Sequence, residues 1–331
     1  MPHTIQGEQV GEIGFGLLGL TWNSTPVSEE QAFAAMRAAL ESGCNYWNAG
    51  EFYGPPDHNS LTLLNKYYAL HPGDAARVLL NVKACTGENF RPDGSPEGVR
   101  RSAENCLRML GPGPGAIDQF EPARRDPEVP VEVTVKAIAD LAAEGKVGGV
   151  ALSEVSAATI RRAAKVAKIE AVEVELSLWN TEPLTNGVCE ACAELGIPIL
   201  AYAPLGRGAL TGKIRSIDDI PEGDFRRMLP RFQPENFATN LRIVDEVARL
   251  AEKKGCTPAQ VAINWVVSLG RRPGMPVIIP IPGASSPERV RENARLVELS
   301  GEDVAEIERL LASFPVVGER YHHHGMELLD K

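Results

Sequence analysis

The chain has 331 residues, of which 44% are hydrophobic and 24% charged, proportions of an ordinary globular protein with ample apolar surface for a core. A net charge of −10 and the lack of a long Lys/Arg block argue against a nucleic-acid partner. No apolar run reaches membrane-spanning length, and Met1-Pro2-His3-Thr4 carries no basic stretch ahead of an apolar one, so a soluble, cytoplasmic protein is expected.

Length alone suggests two domains, yet the pattern along the chain favours one, spanning 1–331. Thr4 to Ile5 and Gln9 to Val10, joined at Gly7, are expected to form a hairpin plugging the bottom of a barrel. The first barrel strand is placed at Glu12 to Phe15. A helix follows, with Ser28 as N-cap, Gln31 completing a capping box, Phe33, Met36 and Leu40 on one face, and Gly43 as its stop. Strands are then expected at Cys44 to Asn48, Val78 to Val82, Ile117 to Glu121, Gly148 to Leu152, Ala171 to Glu175, Pro198 to Tyr202 and Val277 to Ile279. Helices fall between them near Pro96 to Leu110, Val131 to Glu144, after Ser156, and near Asn186 to Leu195. Two more follow residue 234, one ending at Lys254-Gly255 and one opening at Thr257-Pro258. The last barrel helix begins at Ser286-Pro287, and another runs from Glu302 to Leu311. Eight strands alternating with helices predict a (β/α)8 barrel over a doubly wound sheet. The proline-bearing stretch from Leu205 to Pro234 exceeds a normal connection and is a candidate lid.

Six cysteines are scattered through these elements; only Cys189 and Cys192 have C-x-x-C spacing, inside a helical pattern with no second pair to complete a zinc set. Reduced thiols and no metal are expected. His322, His323 and His324 point in different directions in an irregular tail, which reads as solvated or substrate-covering.

Strand ends of such a barrel share one mouth, so Asn48, Tyr53, Lys83, Glu121 to Arg125, Ser153, Glu173 and Tyr202 should converge. A phenol beside an ammonium can protonate a carbonyl oxygen, the positive charge favouring the phenolate that remains. Alone, a tyrosine after a strand is usually packing and a lysine there usually solvates. Their delivery by successive strands, as Tyr53 and Lys83, makes the pair a catalytic candidate. At the other end of the mouth, Ser285-Ser286-Pro287-Glu288-Arg289 opens a helix with a cap and a proline, leaving N–H groups for an anion, to which Arg289 adds a guanidinium suited to a 2′-phosphate.

The stretches Ile13 to Trp22, Asn48 to Gly54, Glu144 to Val147, Ala151 to Ser153, Val174 to Trp179, Ala201 to Gly208 and Ile279 to Gly283, in that order, resemble the aldo-keto reductases over almost the full length. The resemblance implies NADPH/NADP+ across the mouth, an aldehyde substrate, Tyr53 as proton donor and Lys83 as its partner. Asn48 stands where the family has Asp; its amide oxygen is expected to accept from Lys83, and without a counter-charge there Lys83 should lose its proton more easily. Ala123 stands where the family has His, and Arg125, by strand parity, is expected to reach the vacated space and the substrate. The resemblance further implies cofactor contacts from Gly19, Thr21 and Trp22, the last also facing substrate. It places Ser153, Glu154 and Glu173 on the nicotinamide carboxamide and Tyr202 on the ring. Ala203, Leu205, Gly206, Arg207 and Gly208 would meet the pyrophosphate. Gly283, Ser285, Ser286 and Arg289 would line the adenosine phosphate, with Glu292 and Asn293 at the adenine. Trp47 to Gly54, Phe120 to Arg124 and Leu152 to Ser156 are similar to the fungal pyridoxal reductase branch, which implies reduction of pyridoxal to pyridoxine. A broad aldehyde or ketone reductase and a cofactor-sensing accessory subunit are the competing readings.

Overall fold

The computed structural model describes residues 2–24, 26–87, 90–113 and 115–330. Two short antiparallel strands, β1 (His3–Ile5) and β2 (Glu8–Val10), precede eight parallel ones: β3 (Phe15–Gly16), β4 (Tyr46–Gly50), β5 (Leu79–Ala84), β6 (Gln119–Pro122), β7 (Val150–Ser153), β8 (Ile169–Glu175), β9 (Ile199–Tyr202) and β10 (Ile278–Pro280). They pair in sequence order. Gly14 N–H donates to the Pro280 carbonyl at 2.9 Å, and a parallel bridge joins Gly16 to Gly283. These bonds close β3 onto β10 and make the sheet a barrel. Helices wrap it, so the strands are buried on both faces, which is why they read as apolar runs.

The hairpin covers the barrel floor: Ile5 and Val10 join Tyr46, Leu79, Leu200 and Ile279 in one buried cluster. Gly14 has no room for a side chain at this seam, because a Cβ there would lie 2.6 Å from the Tyr46 carbonyl oxygen.

Local signals placed most helices well. Pro96–Leu110 is capped by Ser95, Ala157–Ala163 by Ser156, and Pro287–Ala294 by Ser286. The Thr257/Gln260 capping box opens Pro258–Leu269. Three expectations need correction. Gln31 does not complete a box with Ser28: its amide instead donates to the Ser285 carbonyl at 2.7 Å, tying the first helix to the last βα loop. Most strands run one or two residues further toward the mouth than expected, because their last pairs carry polar residues that turn inward, such as Lys83 and Ser153. Finally, a helix at Ser60–Leu70 has no counterpart in the sequence reading; Asn59 and Thr62 form its capping box.

The Leu205 to Pro234 stretch is a chain of short 3-10 turns, Gly206–Thr211, Ile217–Asp219, Phe225–Met228 and Pro230–Phe232. It crosses the mouth, where Asp224 accepts a hydrogen bond from the Ser24 hydroxyl at 3.1 Å. Among the described residues, no helix is long and apolar enough to cross a membrane.

Candidate active site

Strand register brings the polar groups together. Gly50 pairs with Lys83, and Lys83 with Glu121, so the ends of β4, β5 and β6 lie at one level. Tyr53 lies in the turn after β4. A Cβ on Gly50 would sit 2.6 Å from its ring, so this glycine is what lets the phenol fold back over the strand end. The Thr21 hydroxyl donates to the Tyr53 carbonyl at 2.6 Å and holds the turn from the other side.

The Tyr53 hydroxyl donates to Asn48 Oδ1 at 3.3 Å. Burial pushes the phenol up to about 12; Lys83 pulls it down, and Glu173 and Glu121 push it up again. At neutral pH the group is therefore a protonated donor, with the ammonium placed to stabilise the anion it leaves behind.

Lys83 is bonded to Glu173 Oε1, lies 3.8 Å from Glu121 Oε1, and sits 5.1 Å above the Tyr202 ring. Burial alone would discharge it, but Glu173, then Tyr53 and Glu121, hold the ammonium above its ordinary value. The expectation of an easily deprotonated lysine is thus overturned. Its counter-charge comes from β8 and β6 instead of position 48. Asn48 does not accept from Lys83 either: its Nδ2 donates to Glu173 Oε2 at 2.7 Å and to Asn81 Oδ1 at 2.9 Å, and its Oδ1 faces the phenol. The amide thus orients three of its neighbours at once.

Glu173 has both oxygens engaged by protein donors, and Glu154 is likewise engaged, accepting from Arg320 at 2.9 and 3.2 Å and from the Glu175 N–H at 2.8 Å. Each of these carboxylates thus pairs with a buried cation, Glu173 with Lys83 and Glu154 with Arg320. The Ser153 Oγ is buried at the end of β7 with no hydrogen-bond partner among the described residues, a polar atom that a bound carboxamide would satisfy. Tyr202, at the end of β9, shares a hydrogen bond of 2.8 Å with the Tyr321 hydroxyl.

The loop after β9 is tightly wound, with positive φ at Ala203, Gly206, Arg207 and Gly208 and the Leu205 carbonyl accepting from two later N–H groups. The Arg207 guanidinium pairs with Glu175 at 2.9 Å and packs under the Tyr321 ring. Across the mouth, Ser286 caps its helix, Ser285 is half-buried, Arg289 and Gly283 are exposed, Asn293 is buried, and the Glu292 carbonyl accepts from Gln260. These residues form an open ledge suited to an anion beside a guanidinium.

Arg125 does not enter the space beside Ala123. β6 ends at Pro122, so strand parity no longer applies, and Arg125 instead donates to Asp330 at 3.1 Å. Arg124 is the one that turns toward the mouth, donating to the Tyr321 hydroxyl at 3.2 Å. The C-terminal tail therefore forms one wall of the site: Arg320 on Glu154, Tyr321 on Tyr202, and Asp330 accepting from the Ser156 N–H at 3.1 Å. His322 caps a short helix, His323–Glu327, on the outer side.

Trp22 was expected to face substrate, but sequence reasoning missed the rest of the aromatic rim, Phe52 and Phe90. Trp22 stacks on Phe90 with centroids 5.6 Å apart, Phe52 meets both edge-on, and Phe52 meets Tyr53 at 5.2 Å. Trp22 and Phe90 are half exposed, leaving flat apolar surface beside the buried phenol. For Phe52, its adjacency to Tyr53 was the available signal.

Known proteins bear on this arrangement. A likeness of fold to a glycerol dehydrogenase of Gluconobacter oxydans has a TM-score of 0.82 at 22% identity, covering 96% of this chain and 97% of that one. "Probable pyridoxal reductase 2" of Schizosaccharomyces pombe is 39% identical over 327 residues, 96% of each chain. A Saccharomyces cerevisiae protein also named for pyridoxal reductase is 37% identical, covering 94% of this chain and 95% of its own. The family model described as "Aldo/keto reductase family" matches residues 12–312, which takes in every strand of the barrel and both halves of the mouth. An oxidoreductase barrel with its polar groups gathered at the strand ends is what that match predicts, and the chain belongs to the aldo/keto reductase family.

Proposed function

We propose that this protein reduces the aldehyde of pyridoxal to the alcohol pyridoxine at the expense of NADPH, with Tyr53 as proton donor. The observation that carries the reading is a buried Tyr53 hydroxyl beside the Lys83 ammonium, with its ring packed on Phe52, which in turn meets Trp22 and Phe90. A flat aromatic aldehyde stacked on that rim would place its carbonyl oxygen by the phenol. The names of the two yeast relatives support pyridoxal as that aldehyde.

When bound, the dinucleotide would supply the hydride. Ser153 would hold its carboxamide, Tyr202 its ring, the wound loop from Ala203 to Gly208 its pyrophosphate, and Ser285, Ser286 and Arg289 the 2′-phosphate. Tyr53 gives its proton to the oxygen while Lys83 stabilises the phenolate, and the rim and tail exclude water. In this reading the whole chain, 1–331, works as one domain in the cytoplasm.

The test is a steady-state panel of pyridoxal, benzaldehyde and short aliphatic aldehydes with NADPH and with NADH. Pyridoxal with NADPH is expected to give the highest kcat/KM. Equal values for simple aromatic aldehydes would replace this reading with a broad reductase, and dinucleotide binding without turnover would make the chain a sensing subunit.

A further inference from the structure

Tyr321, half-buried in the tail, touches both Tyr202 and Arg207. Its hydroxyl shares a 2.8 Å hydrogen bond with the Tyr202 hydroxyl and accepts from Arg124 at 3.2 Å. Its ring centroid lies 4.5 Å from the Arg207 guanidinium, within range of a cation–π contact. Arg207 has a left-handed backbone, with φ of 57°, in the loop after β9. Its Nη2 donates to Glu175 at 2.9 Å, but its Nη1 is buried without a hydrogen-bond partner among the described residues. A guanidinium with one nitrogen spent on a carboxylate and another unspent is set to meet an anion. The tail is fastened beside the same carboxylate: Arg320 grips Glu154 at 2.9 and 3.2 Å and stands 3.7 Å from Glu175.

We propose that Tyr321 is a positioning residue for the nicotinamide and pyrophosphate half of a bound dinucleotide. Its hydroxyl fixes the Tyr202 ring, and its own ring fixes the Arg207 head with Nη1 left over for the anion. The inference rests on the cofactor assignment given under the proposed function, in which Tyr202 meets the nicotinamide ring and the loop from Ala203 to Gly208 the pyrophosphate. Because Tyr321 acts only through those two residues, the coupling runs both ways: a dinucleotide that engages them steadies the tail by as much as the tail strengthens its binding. The adenosine end is set apart from this device. Its ledge at Ser285, Ser286 and Arg289 lies across the mouth, at the opening of the Pro287–Ala294 helix.

The experiment compares two ligands on the full-length protein, wild type against Y321A and Y321F, by titration calorimetry. NADPH spans the whole mouth, whereas adenosine 2′,5′-bisphosphate carries only the adenosine end. Y321A should bind NADPH about fivefold or more weakly and the bisphosphate within about twofold of wild type. Y321F keeps the ring over Arg207 and loses the bond to Tyr202, so its NADPH affinity should fall between the two. Amide hydrogen exchange across residues 320–330 should slow when NADPH is added to wild type, and not when the bisphosphate is. Equal NADPH affinity in wild type and Y321A overturns the inference, and so does an equal loss of both ligands, which would make Tyr321 a prop of the fold alone. If Y321A does not fold, the wild-type exchange decides, and a tail unaffected by NADPH overturns it. Wild type that binds neither ligand would overturn the cofactor assignment itself, and this inference with it.

Discussion

At position 48, an amide in place of a carboxylate decides how charge is arranged around Tyr53. Lys83 already has Glu173 as its anion, with Glu121 close by, so a third carboxyl would add repulsion and remove the donor that Asn48 gives to Glu173. N48D is therefore expected to lose about 1–3 kcal/mol of stability at neutral pH. The sign with pH follows from crowding. The new Asp would have its folded-state pKa raised by Glu173 above the unfolded value of about 3.9, so the loss should be small below that pH and grow as pH rises. Thermal unfolding of N48D and wild type across pH 4 to 8 checks this; a deficit that shrinks with rising pH would contradict it. The identities of Tyr53, Lys83 and Asn48 were legible from their places after strands, but their bonding was not. Glu173 comes from β8, 90 residues beyond Lys83, and no local pattern announces that contact.

The C-terminal tail is the element that carries most of what the sequence concealed. Arg320 lies 166 residues from Glu154, its bidentate partner, and also faces Glu175 at 3.7 Å. Burial opposes charge on Glu154, yet Arg320 and then Arg124 hold its carboxyl below the ordinary value. Arg320→Ala would strand buried carboxylates and is expected to cost about 3–5 kcal/mol. Because the folded-state pKa of Glu154 is depressed, the pair's contribution is present above the unfolded carboxylate value of about 4.3 and is lost as pH falls through the folded one. Wild type and R320A should thus converge in stability toward acid pH, and amide hydrogen exchange should rise across residues 320–330 in the variant. Protected amides there would show that Arg320 does not hold the tail. By contrast, the helices that open at Ser28, Ser156, Thr257 and Ser286 were readable from their caps. The Ser60–Leu70 helix escaped because its approach, Gly54-Pro55-Pro56-Asp57-His58, reads as loop throughout, although its Asn59 cap is a good one.

For the whole molecule, the alternation of eight buried strands with capped helices was enough to give the barrel, because a parallel strand buried on both faces leaves a continuous apolar run. Barrel closure was less visible, since it depends on backbone contact at Gly14 and Gly16, where side chains are absent. The mouth follows from the barrel, and with it the convergence of Tyr53, Lys83, Glu121 and Glu173 from four different segments. The central claim is that the Tyr53 hydroxyl provides the proton in carbonyl reduction. Its most direct test is Tyr53→Phe, which keeps the ring packed on Phe52 and deletes one oxygen. NADPH affinity measured by fluorescence titration should stay within about twofold, and NADPH oxidation with pyridoxal should drop by about 10²-fold or more. Undiminished oxidation by that variant would contradict the account.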